Sequence, residues 1–281
     1  MKTGKWTNDE RDCLKNNYRE LGSVGVARIL QRSPRHVNSM AMHLKLKRGW
    51  GTKPRFRKYL INEQIFKTWS NTSAYLVGLI LADGNIGERD FSITSKDIEL
   101  LEKSKAALES KHPISKCIGR NLYKLCIGNK SMVSDLKSIG ITEKKSKTIT
   151  LPDIPREYFF DFLRGYSDGD GMTLFTKQGG LQFKISTGSP FILDDISDTI
   201  TALLGIDKHH PKTNTQQRRE TISTWYELTY CGQCALLICE AMYNHCEYLY
   251  LSRKRQSFLD YKSRPKRDRR SLGNATKYHS L

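Results

Sequence analysis

The sequence predicts an α+β protein in which two copies of one αββαββα unit follow a small all-α domain. Three observations predict this class: a motif that occurs twice, segments of alternating polar and apolar residues after each copy, and a helical period within the first 48 residues. The chain has 281 residues, of which 38% are hydrophobic and 10% aromatic. It is therefore long and apolar enough to bury a substantial core.

Composition also excludes several classes of protein. No apolar run is long enough to span a bilayer, and the first ten residues lack the apolar segment of a secretory signal. The seven cysteines are odd in number and lack the spacing of a disulfide framework, which fits a reducing compartment. We expect an intracellular protein, cytoplasmic or nucleoid-associated.

The positive charge lies at the two ends of the chain. Residues 1–58 hold 15 Lys and Arg against 4 Asp and Glu, and residues 253–281 hold 10 against 2. The net charge of the whole chain is +18, so the region between the two ends is close to neutral. A polyanion is the simplest partner for such ends, because each neutralised phosphate releases counterions. A solvated tail is an equal alternative for residues 262–281.

The first 48 residues carry the signals of three short helices. Thr7 and Glu10 form a capping box that opens a helix over roughly residues 8–20. Glycines at positions 22 and 25 mark a break, after which a second apolar stripe begins. Ser33 followed by Pro34 is a typical start for a third helix.

The third helix has an apolar face and a basic, amide-bearing face. The polar face includes the candidate DNA-binding residues Arg35, His36, Asn38, Ser39 and His43. Residues 1–48 thereby resemble a helix-turn-helix module of Myb-like type, with Trp6 as its aromatic core anchor, and the resemblance implies that the third helix enters a major groove. A small helical bundle with a solvated or protein-binding face is the alternative. Residues 49–58 are predicted to form a basic linker.

A motif that ends in Asp-Gly occurs twice, 87 residues apart. Leu76-Val-Gly-Leu-Ile-Leu-Ala-Asp-Gly84 and Leu163-Arg-Gly-Tyr-Ser-Asp-Gly-Asp-Gly171 share small residues four apart on one helical face and an acid at the end. A single Asp-Gly would simply stop a helix, with glycine in the left-handed conformation. Two copies predict instead that the helices pack closely through their small residues and bring Asp83 beside Asp170.

The similarity continues after each motif, at offsets that grow to 92, 103 and 109 residues. Two copies of one unit, the second with enlarged loops, explain this growth. Each unit should contain a helix, a hairpin, a helix, a hairpin and a helix. The stretches 174–187 and 217–229 alternate polar and apolar residues, as expected for hairpins with one face under helices and one open face that could lie in a DNA groove.

The two motifs resemble the signature helices of a single-chain LAGLIDADG homing endonuclease, and the resemblance runs from about residue 59 to residue 262. It implies a half at 59–151, a half at 152–262 and a basic tail at 263–281. It also implies a pseudo-twofold fold, with the signature helices at the interface and two curved antiparallel sheets forming a saddle for double-stranded DNA. The protein would act as a monomer, because one chain supplies both halves.

Two crowded carboxylates at helix C-termini repel each other and the helix dipoles, and a bound cation relieves both penalties. The resemblance assigns this role to Asp83 and Asp170, with backbone carbonyls of Gly84 and Gly171 near a Mg²⁺ or Mn²⁺ ion. Asp168 occupies a position where the first copy has Leu81, so it is not assigned to catalysis.

Basic residues complete the expected site. Lys145 and Lys254 occupy equivalent positions and resemble the paired active-site lysines of the family, although each lies in a basic run that could simply hold phosphates. Lys124 and Lys130 are the second choice for this role. The remaining candidate DNA contacts are Lys177, Gln182, Lys184, Arg218 and Arg219.

The resulting hypothesis is a site-specific, metal-dependent DNA endonuclease. Two alternatives stay open: an RNA maturase that binds intron RNA to assist splicing, and a non-cleaving transcription regulator derived from the same fold. Retention of both acids argues against the regulator. A zinc site at Cys231 and Cys234 is disfavoured, because a lone CxxC that heads an apolar helix is more typical of core packing.

Overall fold

The computed structural model describes residues 4–46, 59–141, 149–176, 179–218 and 221–264. The chain divides into two compact units, one within residues 1–58 and the other within residues 59–281. Within the described ranges, every helix is too short or too polar to cross a membrane.

The first unit contains two helices, α1 (Asn8–Leu30) and α2 (Pro34–His43). The predicted capping box is present, since the Thr7 hydroxyl accepts from the Glu10 N–H at 3.2 Å and Glu10 Oε2 accepts from the Thr7 N–H at 3.0 Å. The first two predicted helices are joined as α1, which is kinked at Gly22 where the backbone has φ 64°. Glycine tolerates this left-handed conformation, so the chain bends there without a loop.

A small core holds the first unit together. Leu14, Val37 and Ala41 are fully buried, and Trp6 packs against their cluster from its edge. The guanidinium of Arg32 lies 4.7 Å from the Trp6 ring centre and pairs with Glu10 at 2.8 Å. The ion pair therefore links the start of α1 to the segment just before α2.

The second unit contains the two predicted repeats. The first consists of α3 (Asn71–Asp83), β1 (Gly84–Ile86), β2 (Asp90–Ser95), α4 (Ile98–Ala107), β3 (Ile114–Lys116), β4 (Tyr123–Gly128) and α5 (Lys130–Ser138). The second consists of α6 (Phe159–Asp170), β5 (Gly171–Phe175), β6 (Leu181–Thr187), α7 (Pro190–Leu204), β7 (Lys212–Arg218), β8 (Thr221–Cys231) and α8 (Gly232–Tyr243). A 3-10 turn, Arg156–Tyr158, precedes α6, and helix α9 (Ser252–Ser263) follows α8.

The predicted α+β class is confirmed. Each repeat forms a four-stranded antiparallel sheet, in the order β1-β2-β4-β3 and β5-β6-β8-β7. The identical strand order is the structural counterpart of the sequence repeat.

Two expectations need correction. The second copy is enlarged in its strands as well as its loops, since β7 and β8 have 7 and 11 residues where β3 and β4 have 3 and 6. The stretch 217–229 is also not a complete hairpin, because β7 already begins at Lys212. Sequence alternation alone cannot locate the start of a strand whose residues are polar on both faces.

The two signature helices α3 and α6 pack directly against each other through glycine. A Cβ on Gly78 would overlap the carbonyl oxygen of Phe162, and a Cβ on Gly165 would overlap the carbonyl oxygen of Tyr75. Close approach of the two backbones therefore requires glycine at both positions, as the small-residue pattern predicts.

Each sheet has one buried face and one open face. In β8 the side chains of Leu228 and Tyr230 are buried in the core, as are those of Phe183 and Ile185 in the neighbouring strand β6. Residues between them on each strand point to the opposite, open face, because side chains alternate along a strand. The open face of the second sheet includes Gln182, Lys184, Glu227 and Thr229, and that of the first includes Thr94, Lys124 and Cys126.

Candidate active site

Asp83 and Asp170 are the last residues of the two packed helices, α3 and α6. Their ends meet at Gly169, where a Cβ would lie 2.5 Å from Ala82 Cβ and 3.3 Å from Asp83 Cγ. The Asp83 carboxylate therefore lies against the last turn of the helix that ends in Asp170. The structure places the two acids where the repeat predicts them, at the meeting point of the two helix ends.

The glycine after each acid is extended, not left-handed. Gly84 has φ −90° and ψ 155°, and Gly171 has φ −106° and ψ 173°. Each is the first residue of a strand, so the chain passes from helix to sheet without a turn. Glycine is needed for space, since a Cβ on Gly84 would lie 2.8 Å from Ile80 Cα and one on Gly171 would lie 2.6 Å from the Ser167 carbonyl oxygen.

The electrostatics of Asp83 are those of a crowded acid. Burial and the negative charge of Asp170 together raise the pKa of its carboxyl to about 6, against the opposing effect of Lys254. Both helix C-termini add partial negative charge at the same place. The metal-free site therefore carries unfavourable charge that a cation could relieve.

Lys254 lies in the first turn of α9 and is only 2% exposed. Its ammonium group donates to the backbone carbonyls of Ser167 and Asp168, the latter at 2.9 Å. Burial is the main reason that the pKa of Lys254 is lowered to about 8, and the nearby carboxylates of Asp168 and Asp83 limit that shift. The buried cation therefore caps the C-terminal end of α6 and lies within electrostatic range of Asp83.

Asp168 is buried and holds three elements together. Its Oδ2 accepts hydrogen bonds from the Tyr75 hydroxyl at 2.7 Å and from the Leu251 N–H at 2.9 Å. Tyr75 belongs to α3 and Leu251 is the N-cap residue of α9. Burial raises the pKa of the Asp168 carboxyl, and Lys254 opposes that rise. These contacts give Asp168 a structural role, and its position in the motif does not reveal them.

The open face of each sheet carries predicted DNA-binding residues. Lys124 lies on the open face of the first sheet, whereas Lys130 is an exposed residue at the start of α5. On the second sheet Lys184 pairs with Glu227 at 3.2 Å, so part of its charge is already neutralised. Gln182 donates to Cys231 Sγ at 3.5 Å. Arg218 is the last residue of β7.

Three predicted residues lie outside the described residues: Lys145, Lys177 and Arg219. The first repeat therefore offers no described counterpart to Lys254. The linker at residues 49–58 also lies outside the described residues, as does the tail at 263–281 apart from its first two residues.

The candidate DNA-binding residues of the first unit all lie in α2, and each of them is exposed. The set comprises Arg35, His36, Asn38, Ser39 and His43. Asn38 also accepts a hydrogen bond from the Tyr18 hydroxyl at 2.9 Å, which fixes its carboxamide relative to α1.

Sequence reasoning missed two charged groups of the second unit. Asp97, just before α4, pairs with Arg253 at 3.0 Å and raises the pKa of Asp83. Arg164, in α6, pairs with Asp161 and donates to the carbonyl oxygens of Met242 and Leu249. The only signal for Arg164 was a charged residue in a motif helix where the first copy has a valine, Val77.

The cysteines do not form a metal site among the described residues, which contain no group of three or more His, Cys, Asp or Glu side chains able to hold an ion. Cys239 is buried in the core and Cys234 is partly buried, as core packing predicts. Cys231 is exposed at the end of β8, so core packing is the wrong explanation for that residue.

No model of a known protein family matches the chain, and no curated protein matches it in sequence. Several solved structures have a similar backbone fold. One is the I-LtrWI LAGLIDADG homing endonuclease bound to target DNA, with 15% sequence identity and a TM-score of 0.41. The match covers 72% of this chain and 89% of that one. I-DmoI in complex with DNA and Ca has 16% identity and TM-score 0.44, covering 67% of this chain and 94% of that one.

The N-terminal LAGLIDADG domain of DUF199/WhiA has 15% identity and TM-score 0.39, covering 66% of this chain and 89% of that one.

Proposed function

We propose that this protein is a divalent-metal-dependent endonuclease that hydrolyses both strands of a specific double-stranded DNA site. The observation that carries the proposal is the meeting of Asp83 and Asp170 at the ends of two helices whose backbones touch through Gly78 and Gly165. Two carboxylates held together at helix C-termini lower the stability of the fold, and a bound cation would offset this cost.

The residues present fit a divalent ion with few protein ligands. Asp83 and Asp170 supply carboxylate oxygens, and the backbone carbonyls of Gly84 and Gly171 are the further candidates. Mg²⁺ and Mn²⁺ accept oxygen ligands, and Mg²⁺ keeps several of its waters, so two carboxylates suffice. When bound, such an ion supplies an activated water and stabilises the charge on the leaving oxygen of a phosphodiester.

The chain's own residues orient and tune this site. Gly169 lets the Asp83 carboxylate approach the end of α6. Lys254 offsets the negative potential of the α6 C-terminus by donating to its carbonyl groups. Asp168 ties the first turn of α9 to both signature helices and thereby holds Lys254 in place. Lys254 acts here through the acids, because its ammonium group is buried and directed at backbone oxygens.

The open faces of the two sheets are the proposed DNA-binding surface. Both carry hydroxyl, amide and lysine side chains, and each sheet begins at the glycine that follows a candidate metal-binding acid. DNA lying along the open faces would therefore pass the acid pair. We assign phosphate contacts to Lys124 and Lys184 and base-edge contacts to polar residues such as Gln182.

The first unit is proposed to add affinity for DNA beside the cleavage site. Residues 1–58 hold 15 Lys and Arg against 4 Asp and Glu, and α2 exposes amide and basic side chains on one surface. This pattern is typical of a helix that reads a major groove.

The test is cleavage by the purified full-length chain of a random duplex DNA library with Mg²⁺, followed by sequencing of the cut ends. We expect a single preferred site, and we expect Asp83→Asn and Asp170→Asn to abolish cutting while duplex binding persists. Normal cutting by both variants would show that the acid pair is not the active site. Binding of intron RNA without any DNA cleavage would favour the maturase alternative.

A further inference from the structure

We propose that the residues of β7 and β8 that extend past β6 read base pairs in the major groove beyond the region covered by the sheet. Gln216 is the main base-contacting residue in this proposal. The inference rests on the proposed DNA-binding function. It implies that the second repeat recognises a longer half-site than the first.

The register of β8 defines the extension. This strand pairs with β6 only from Tyr226 to Cys231, but it continues beside β7 as far as Thr221. Residues 221–225 of β8 therefore belong to a two-stranded ribbon that projects past the rest of the sheet. At about 3.3 Å per residue, the projection is roughly 15 Å long. At about 3.4 Å of helix axis per base pair, it would add about four base pairs.

The first repeat has no such ribbon among its described residues. Every residue of β4 from Tyr123 to Gly128 pairs with β2. The edge strand β3 pairs with β4 only from Ile114 to Lys116. The two sheets therefore have the same strand order but differ in length, because within the described ranges only the second sheet has a ribbon that extends past its inner strand.

Most of the described side chains of the ribbon are exposed to solvent. Gln216, Gln217 and Ser223 are exposed, and Ile222 is 67% exposed. An isolated two-stranded hairpin without a buried apolar face is only marginally stable in water. A surface that covers one face of the ribbon would supply the missing contacts.

The two faces of the ribbon can be distinguished from the register. Leu228 and Tyr230 point into the core, so Ser223 and Trp225 point to the same side as the open face of the sheet. Ser223 is paired with Gln216, and Trp225 is paired with Asn214. A hydrogen bond of 3.3 Å from Trp225 Nε1 to Glu227 confirms that these two side chains share the open face.

The open face of the ribbon carries neutral hydrogen-bonding groups. Asn214, Gln216 and Ser223 offer amides and a hydroxyl, and the side chains of Gln216 and Ser223 are exposed. Asn and Gln form paired hydrogen bonds with adenine in the major groove, and that groove of B-DNA is wide enough for a two-stranded ribbon. The major groove of double-stranded RNA is too narrow and deep for such an insertion, which favours DNA.

The opposite face of the same ribbon offers a matched control. Gln217 is the next residue along β7, is equally a glutamine and is also exposed, but it pairs with Ile222 and points to the other side. Gln216→Ala and Gln217→Ala therefore remove the same chemical group from opposite faces of one ribbon. Their melting temperatures should be similar. A difference in base preference between the two variants can then be attributed to the face that the glutamine occupies, and not to a change in stability.

The experiment is selection of bound and cut sites from a random duplex library by the full-length chain and its variants. Gln182→Ala identifies the half-site that the second sheet reads, because Gln182 lies on the open face of that sheet and is assigned a base-edge contact. We expect the half-site of the second sheet to extend about four base pairs further from the cut. Gln216→Ala should relax preference at one or two outer positions roughly tenfold or more, and Gln217→Ala should leave every position unchanged.

Cleavage with half-sites of equal length, or equal effects of the two glutamine variants, would overturn this inference and leave the proposed function standing. Failure of the wild-type chain to bind any duplex DNA would overturn both. Protection of the ribbon by structured RNA alone would also contradict the inference, since it would show that the ribbon serves another polymer.

Discussion

Gly169 of α6 lies against Ala82 and Asp83 of α3, and a Cβ on Gly169 would stand 2.5 Å from Ala82 Cβ. Ala82 and Gly169 occupy the same position in the two motifs, so the helix ends meet with one methyl group where two would not fit. The approach of the two helix ends, and with it of the two acids, therefore depends on a small residue at this pair of equivalent positions.

Gly169→Ala should push the helix ends apart. We expect a loss of about 1–3 kcal/mol in the free energy of unfolding, because the added methyl has no space, together with slower cleavage. Urea unfolding and single-turnover cleavage are the measurements. The exchange Ala82→Gly with Gly169→Ala restores one methyl at the contact and should recover most of both losses. No recovery in the double variant would show that Gly169 is needed for another reason.

Asp83→Asn should stabilise the metal-free protein at neutral pH. The pKa of the Asp83 carboxyl is about 6 in the folded chain against an ordinary 3.8, so the folded state binds more protons between these values. Stability contributed by the protonated acid is present below pH 4 and is lost as the pH rises through 6. The variant should exceed wild type by up to about 3 kcal/mol above pH 7, with no difference below pH 4.

Denaturant unfolding in EDTA across this pH range measures the difference. Added Mg²⁺ should then stabilise wild type more than the variant, because only wild type keeps both carboxylates. A stability gap that does not change with pH would mean that the Asp83 pKa is not raised.

Lys254→Met should slow cleavage without weakening DNA binding. Methionine keeps much of the apolar stem but removes the cation that donates to the Ser167 and Asp168 carbonyls. We expect at least a roughly tenfold drop in the single-turnover rate, since charge stabilisation at the acids is lost. Lys262→Met is the control, on the same helix but with a half-exposed ammonium group that pairs with Glu240. Weaker binding with a smaller salt dependence would instead mark Lys254 as a phosphate contact.

Asp168→Leu should destabilise the fold even though leucine, Leu81, occupies the equivalent position of the first motif. The Tyr75 hydroxyl and the Leu251 N–H would both lose their buried acceptor, which costs about 2–4 kcal/mol in total. Asp168→Asn keeps one acceptor oxygen and should lose less. Thermal unfolding of the two variants checks the order, and equal losses would show that charge matters more than the hydrogen bonds.

Deletion of residues 1–50 should weaken DNA binding and reduce its salt dependence while leaving some cleavage specificity. The described residues form separate compact units on either side of residue 58, so the remaining unit keeps its own core. Each lost phosphate contact lowers the slope of log affinity against log salt by about 0.9. An unchanged slope and footprint would contradict a DNA-binding role for the first unit.

Much of the second unit follows from the sequence because the signals are local. The repeated motif, the helical period and the alternation of polar residues predict element order, and the two motif helices end at Asp83 and Asp170 as the motifs indicate. The bounds of β7 do not follow in this way, since its residues are polar on both faces and only pairing with β8 defines them.

By itself the sequence determined that two acids, Asp83 and Asp170, end two helices able to pack through glycine, because spacing along a helix decides which residues share a face. Only the tertiary structure decided three features. The Lys254 side chain turns inward to the end of α6, Asp168 links helices α3, α6 and α9, and β8 extends beyond the point where its pairing with β6 ends. These features depend on contacts between residues more than 80 positions apart or on strand register, and neither leaves a periodic trace in the chain.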